Sequence, residues 1–202
     1  MTFGKRLFDI VFALFLMVVL AVPFLILAVV LLIAEGRPLL YVSERMKTPT
    51  QGFSLIKLRT MANVASDGGV TGGDKAARIA PMHRLLRRAR LDEIPQLWNV
   101  LVGDMSFVGP RPPLRLYVDA FPEIYAQVLQ NRPGITGLAS LRISAFEEAV
   151  LSRCETPDET DAVYRRRCVP RKAALDLIYQ RHQSLCFDLA LIGETALRLL
   201  RR

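Results

Sequence analysis

"IVFALFLMVVLAVPFLILAVVLLIA" runs from Ile10 to Ala34, about 25 residues without a charged side chain. A helix needs roughly 20 such residues to cross the hydrocarbon core of a bilayer. A secretory leader has a shorter apolar region, roughly 7–15 residues, and ends at a small-x-small cleavage site. This run ends in "EGRP". It reads as a retained membrane segment, which divides the chain into residues 1–36 and residues 37–202. Pro23 lies near its middle, and proline removes a backbone donor and clashes with the preceding turn. Two arrangements follow: a kinked helix that crosses the bilayer, or two half-length helices that enter and leave by one face. Lys5 and Arg6 precede the segment; Arg37, Arg45, Lys47, Lys57 and Arg59 follow it. Basic residues on both flanks favour two cytoplasmic ends, hence the re-entrant form.

The rest of the chain is long enough for one core. Residues 39–61 read as a β-hairpin, "LLYVS" and "FSLIKL" around a Thr-Pro-Thr-Gln-Gly turn. "SDGGVTGGDK", residues 66–75, lacks the G-K-[ST] ending of a phosphate-binding loop and reads as flexible surface. Residues 81–90 form a basic helix, and a second helix begins at Asp92 and runs to the Gly103-Asp104 turn. "SFVGPRPP" (106–113) and "NRPGITG" (131–137) are turn-rich loops, with a helix from Leu114 to Gln130 interrupted at Pro122. Two or three polar helices extend to about His182. Ser184 caps a last helix whose polar stripe is Asp188, Thr195, Arg198 and Arg202. Its wide apolar face suits either the membrane interface or the protein core. The fold class is α+β, mainly helical.

Lys and Arg outnumber Asp and Glu by 27 to 19, a net charge of +8. That balance calls for an anionic partner: nucleic acid, an acidic membrane face or a phosphorylated substrate. The 3 Cys are scattered, which argues against a disulfide framework or a zinc site. His83 and His182 are too isolated for a metal pair and read as solvated; Trp98 reads as core.

The chemistry concentrates in "RLDEIPQLWN", Arg90 to Asn99, directly after "RLLRRA". Asp92, Glu93 and Pro95 are all residue types favoured at a helix start. An N-cap carboxylate accepts backbone N–H bonds that hold it ionised. An ionised, oriented carboxylate is also what a nucleophile or a hard-metal ligand needs. Arg87, Arg88 and Arg90 stand nearby to hold phosphate oxygens. Arg111, between prolines in "GPRP", is a prepositioned guanidinium or a plain surface turn. Lys57 and Arg59, two apart on a strand, are a phosphate-binding pair or the exposed side of an edge.

Taken in order, "GKRLFD", Pro23, "IKLRTM", "LDEIPQLWNVLVGDMSFVGPRPPL", "NRPGITGLA" and "LDLIYQRHQSLCFDLALI" resemble the bacterial sugar transferases, the small monotopic phosphoglycosyl transferases. The resemblance covers nearly the whole chain and is most specific in its central two dozen residues. It implies an enzyme on the cytoplasmic face of the bacterial inner membrane, embedded in its lipids by a re-entrant helix broken at Pro23. Such an enzyme moves a sugar 1-phosphate from a UDP-sugar to undecaprenyl phosphate and releases UMP. This is the first membrane step of exopolysaccharide or lipopolysaccharide assembly. The resemblance makes Asp92 the nucleophile of a ping-pong reaction and Glu93 its base or Mg²⁺ partner, with Lys57, Arg87 and Arg111 on the phosphates. Two departures stand out. Val22 occupies the position before the proline where many relatives have Ser. After "RPGITG" the chain reads "LASLRISAFEEAVLSRC" and carries a longer insertion to about Pro170, with Arg142 as the candidate phosphate-contacting arginine. A non-catalytic adaptor that binds acidic partners through the same basic face is the alternative. Nucleic acid ranks last, because few aromatics accompany the Arg run.

Overall fold

The computed structural model describes residues 1–61 and 80–201; the Gly-rich stretch 66–75 lies outside them. The apolar run forms most of helix α1, Phe3–Glu35. Thr2 caps it by accepting from the Lys5 amide. The helix runs on past Pro23, so the proline, though it donates no hydrogen bond, sits inside one helix and does not separate two. A proline disturbs the turn before it, while long apolar flanks keep every other backbone group paired along the helix. At 1.5 Å per residue, 33 residues reach about 50 Å, longer than a ~30 Å hydrocarbon core.

Both ends of α1 are tied to the rest of the chain. Lys5 is buried and its Nζ lies 2.6 Å from Asp188 Oδ2. Arg6 donates to the Val100 and Leu101 carbonyls, each at 2.7 Å. Asp9 accepts from the Phe107 amide at 3.2 Å. The "GKRLFD" charges are therefore anchors within the fold as well as flanking charges. At the other end, Leu31 packs with Leu58 and Leu86. Glu35 pairs with His83, which is buried and so not the solvated histidine expected. Between these anchors α1 exposes Val18, Val19, Val22, Leu25 and Ile26.

The expected hairpin is present: β1, Leu40–Met46, pairs antiparallel with β2, Gly52–Leu58, from Leu40↔Leu58 to Met46↔Gly52. Helix α2, Pro81–Arg88, leads to a 3₁₀ turn at Leu91–Glu93 and then to α3, Gln96–Val102. Asn99 of α3 is buried against β2. Its Oδ1 accepts from the Ile56 amide at 3.2 Å and its Nδ2 donates to the Ser54 carbonyl at 2.8 Å. One side chain thus satisfies strand groups that a third strand would otherwise pair.

The two loops expected around Gly109 and Gly134 contain a second sheet. Strand β3, Ser106–Val108, pairs in parallel with β4, Gly134–Thr136. Their short length and Gly/Pro content hid them as strands. A Cβ on Gly109 would collide with the Arg132 carbonyl, and one on Gly134 with the Gly109 amide. Only glycine lets these backbones approach so closely, and that contact sets where Arg111 emerges.

Helices α4, Arg115–Ala120, and α5, Pro122–Val128, are separated at Phe121, as Pro122 predicts. Helices α6, Leu138–Leu151, and α7, Pro157–Val163, follow. A π-helical turn, Tyr164–Cys168, joins α7 to α8, Val169–Arg181. One apolar core gathers β2, α3, β3, α6 and α9 around Val100, Met105 and Val108; a second gathers α4, α5, α6 and α8 around Tyr117 and Cys168.

Helix α9, Leu185–Leu200, starts at a Ser184 cap. The described part of its polar stripe points inward: Asp188 is buried against Lys5, Thr195 Oγ1 bonds Thr136 Oγ1 at 2.7 Å, and Arg198 donates to the Leu141 carbonyl, while Arg202 lies outside the described residues. Its exposed positions are Leu185, Cys186, Leu189, Ala190, Gly193, Ala196, Leu197 and Leu200, without one charged or hydrogen-bonding side chain apart from a thiol. The helix is inside out for a water-facing surface. Trp98, expected in the core, is 52% exposed on α3, near Val102 at 51%. A protein rarely presents so much apolar surface without a lipid or protein to cover it.

Candidate active site

Helix α2 stops at Arg88 because the chain turns sharply at Arg90, which adopts φ 56° and ψ 22°. That left-handed conformation costs a non-glycine residue about 1 kcal/mol or more and persists only where its surroundings impose it. Here the Arg90 side chain is clamped: Nη2 lies 2.8 Å and Nε 3.1 Å from Glu93 Oε2. The turn presents Asp92 and Glu93, both buried, one after the other.

Asp92 is not a helix cap. The residue before α3 is Pro95, and no side-chain cap bond forms at either the 3₁₀ turn or α3. The carboxyl is consequently not held ionised by backbone amides. Burial, then the neighbouring Glu93, raises its pKa; Arg87, Lys57 and Arg111 pull it back. Glu93 differs. Burial raises it, but Arg111 and Arg90 outweigh burial and leave it below the usual range. Arg111 Nη2 lies 3.0 Å from Glu93 Oε1, and Glu93 in turn holds Arg111 more firmly protonated. The adjacent acids have separate tasks: Glu93 fixes two guanidinium groups, and Asp92 keeps its carboxylate clear of ion pairs among the described residues.

Both acids line a cavity of about 400 Å³. Lys57, Arg87 and Arg111 line it too, so five predicted site residues from four separate segments converge. Arg59 and Arg142 do not. Arg59 lies beyond the end of β2, where strand alternation no longer places it beside Lys57. Arg142 turns outward to pair with Glu194 at 2.5 Å. The sequence reading missed Arg45, Glu147 and Lys172. Arg198, noted only as part of a polar stripe, also lines the cavity. Nothing local marks Arg45 or Lys172, whereas the inward turn of the α9 stripe pointed to Arg198.

The lining carries seven Lys and Arg side chains against four Asp and Glu. Two of its donors, Arg87 Nη1 and Arg45 Nε, are buried without an acceptor among the described residues. Buried donors are nearly always bonded, so the site is built to receive an anion. Burial, with Arg45, Arg87 and Arg111 adding to it, lowers Lys57 to about 8. Its ammonium also lies 5.0 Å from the Tyr41 ring centroid.

A cationic cavity with a carboxylate clear of ion pairs among the described residues, closed on one side by a helix whose outer face is apolar, suits anionic groups beside an apolar surface. Comparison with known proteins makes the class specific. The family model "Bacterial sugar transferase" matches residues 1–202, and the chain belongs to that family. It is 33% identical over 207 residues to the exopolysaccharide production protein PSS of Rhizobium leguminosarum, covering 98% of this chain and 96% of that one. It is 40% identical over 147 residues to a UDP-glucose:undecaprenyl-phosphate glucose-1-phosphate transferase of Caulobacter vibrioides, covering 68% and 53%. It is 38% identical over 137 residues to the uncharacterized sugar transferase EpsL of Bacillus subtilis, covering 68% and 67%. The match thus spans about half of the Caulobacter protein and nearly all of the Rhizobium one.

Proposed function

We propose that the protein transfers a sugar 1-phosphate from a UDP-sugar to undecaprenyl phosphate and releases UMP. The observation that carries this reading is Asp92: a buried carboxylate, clear of ion pairs among the described residues, in a cavity also lined by Lys57, Arg87 and Arg111. An Asp92 oxygen attacks the phosphorus that bears the sugar. The bond from that phosphorus to the UMP oxygen breaks, and UMP departs with the electron pair. An oxygen of the lipid phosphate then attacks the same phosphorus, and the Asp92 carboxylate leaves. A covalent step lets one cavity serve two anionic substrates in turn, and the fixed cations offset charge as it builds. Incubation with a panel of UDP-sugars, undecaprenyl phosphate and Mg²⁺ is expected to release UMP with at least one donor. No UMP from any of them would overturn the reading.

Mg²⁺ belongs to this proposal. No cluster of three His, Cys, Asp or Glu side chains is present among the described residues. The ion suits such a site, because it commonly takes one or two carboxylates together with substrate phosphates. Asp92 would hold it. Glu93, with both oxygens engaged by Arg90 and Arg111, serves mainly to position those cations. Bound there, the ion would supply neutralisation of the phosphate charge.

Lys57 gives the reaction a pH dependence. A lysine lowered to about 8 is charged at neutral pH and loses its charge as pH rises through that value. The kcat/KM profile, which reports the free enzyme, should therefore fall on an alkaline limb near pH 8. Lys57→Arg should push that limb upward, since a guanidinium stays charged. A limb unmoved in Lys57→Arg would assign it to another group.

A re-entrant course, with α1 bending at Pro23 as one helix rather than breaking into two, is part of the same reading and accounts for the two anchored ends of α1. Lys5 and Glu35 bond to one and the same domain, which a straight crossing to the far side would prevent. The outward apolar faces of α9 and α3 would lie in the same leaflet. A Cys probe placed at Thr2 should be labelled from the cytoplasmic side; labelling only from outside would mean a true span.

A further inference from the structure

A smaller cavity of about 80 Å³ adjoins the first. The two share Arg45, Arg111, Pro112, Glu147 and Lys172. Beyond that junction the small cavity is lined by Tyr125, Tyr164 and Asp176. Asp176 is 8% exposed, and among the described residues no hydrogen bond or ion pair takes up its carboxylate. Burial raises it to about 7, with Lys172 opposing. A buried carboxyl without a partner is expensive, and this one borders a cavity. Tyr164 reaches the same cavity from the π-helical turn, a wide turn often found at functional positions.

We propose that this second cavity receives one edge of the ring of the transferred sugar, with Asp176 accepting hydrogen bonds from its hydroxyls and Tyr125 and Tyr164 beside it. The inference rests on the donor reading above. Arg45 and Arg111 line both cavities, so a phosphate held between them has its sugar substituent beside Asp176. The volume has room for roughly half a dozen water-sized groups, the scale of one edge of a pyranose and too small for a nucleotide. Carboxylates suit hydroxyl donors, and aromatic rings suit the C–H face of a sugar. A site that bonds a hydroxyl discriminates strongly against the analogue lacking it.

The test uses the UDP-sugar that the unaltered enzyme turns over, with its 2-, 3-, 4- and 6-deoxy analogues. The unaltered enzyme should reject at least one analogue. Asp176→Asn should lower kcat/KM for the parent sugar by roughly 10- to 100-fold, the worth of one hydrogen bond to a charged group. It should also bring the parent-to-analogue ratio for that hydroxyl close to one, with the KM for undecaprenyl phosphate unchanged. Asp176→Glu, which keeps the acceptor but moves it by one methylene, gives a second route should Asp176→Asn fold poorly, and should likewise change the ratio for that hydroxyl. Ratios that stay as in the unaltered enzyme in both variants would overturn the sugar assignment while leaving the transferase reading intact. Absence of UMP release from the unaltered enzyme would instead remove the donor reading and this inference with it.

Discussion

Asp92→Asn is expected to release no UMP from any UDP-sugar, a loss of at least about 10³-fold, equivalent to roughly 4 kcal/mol in the barrier. The amide has nearly the shape of the acid, so a buried position beside Glu93 can accept it without rebuilding the turn. What it loses is the anionic oxygen that bonds to phosphorus. The unaltered enzyme, mixed with a UDP-sugar and no lipid acceptor, should release about one equivalent of UMP in a burst, because a covalent intermediate forms before the acceptor is needed. Asp92→Asn should show no burst. Full turnover in Asp92→Asn would sink the nucleophile assignment. A burst that requires undecaprenyl phosphate would replace the two-step reaction with direct transfer. Either result leaves the fold and the phosphate-binding cations in place.

The second large effect is on stability. Lys5 and Asp188 are 4% and 1% exposed and lie 2.6 Å apart. Tyr179 donates to the other carboxylate oxygen of Asp188, also at 2.6 Å, and Lys5 reaches the Val108 carbonyl at 3.2 Å. Burial and the Asp188 charge hold the Tyr179 phenol well above its ordinary pKa, so it remains a donor. Removing one partner strands the other charge in the interior, which costs about 3–5 kcal/mol. Lys5→Met and Asp188→Asn should each lower the thermal midpoint in detergent accordingly. The double variant Lys5→Met/Asp188→Asn should lose less than the two singles added, since it leaves neither charge of the pair stranded. Single variants with unchanged midpoints would show that the pair does not hold α1 to α9.

Long-period patterns were readable in the sequence because their cause is local. The charge-free run specifies an apolar helix whatever surrounds it, the alternation of "FSLIKL" specifies a half-buried strand, and Pro122 must interrupt its helix. The central motif also pointed to Asp92, Glu93 and Arg111, "IKLRTM" to Lys57 and the basic run before the acids to Arg87, and the five line one cavity. Readings failed where a distant partner overrode the local rule. Asp92 has the residue type of a cap, but the left-handed Arg90 diverts the chain into a 3₁₀ turn that needs none. Trp98 has the composition of a core residue and lies on the surface. The Gly109 and Gly134 segments look like loops, and each becomes a strand only because the other lies beside it.

The sequence by itself determined the apolar helix, the basic charge and the adjacent carboxylate pair, because each depends on residue types close together along the chain. Only the tertiary structure decided that Glu93 is bound by Arg90 and Arg111 while Asp92 stays clear of ion pairs among the described residues. It also decided that α9 turns its polar stripe inward, and that Arg45, Lys172 and Arg198 join the cavity. The physical reason is that an ion pair or a cavity wall is a property of distance in space. Residues 90, 93 and 111 are linked by a polar contact that their separation along the chain does not encode.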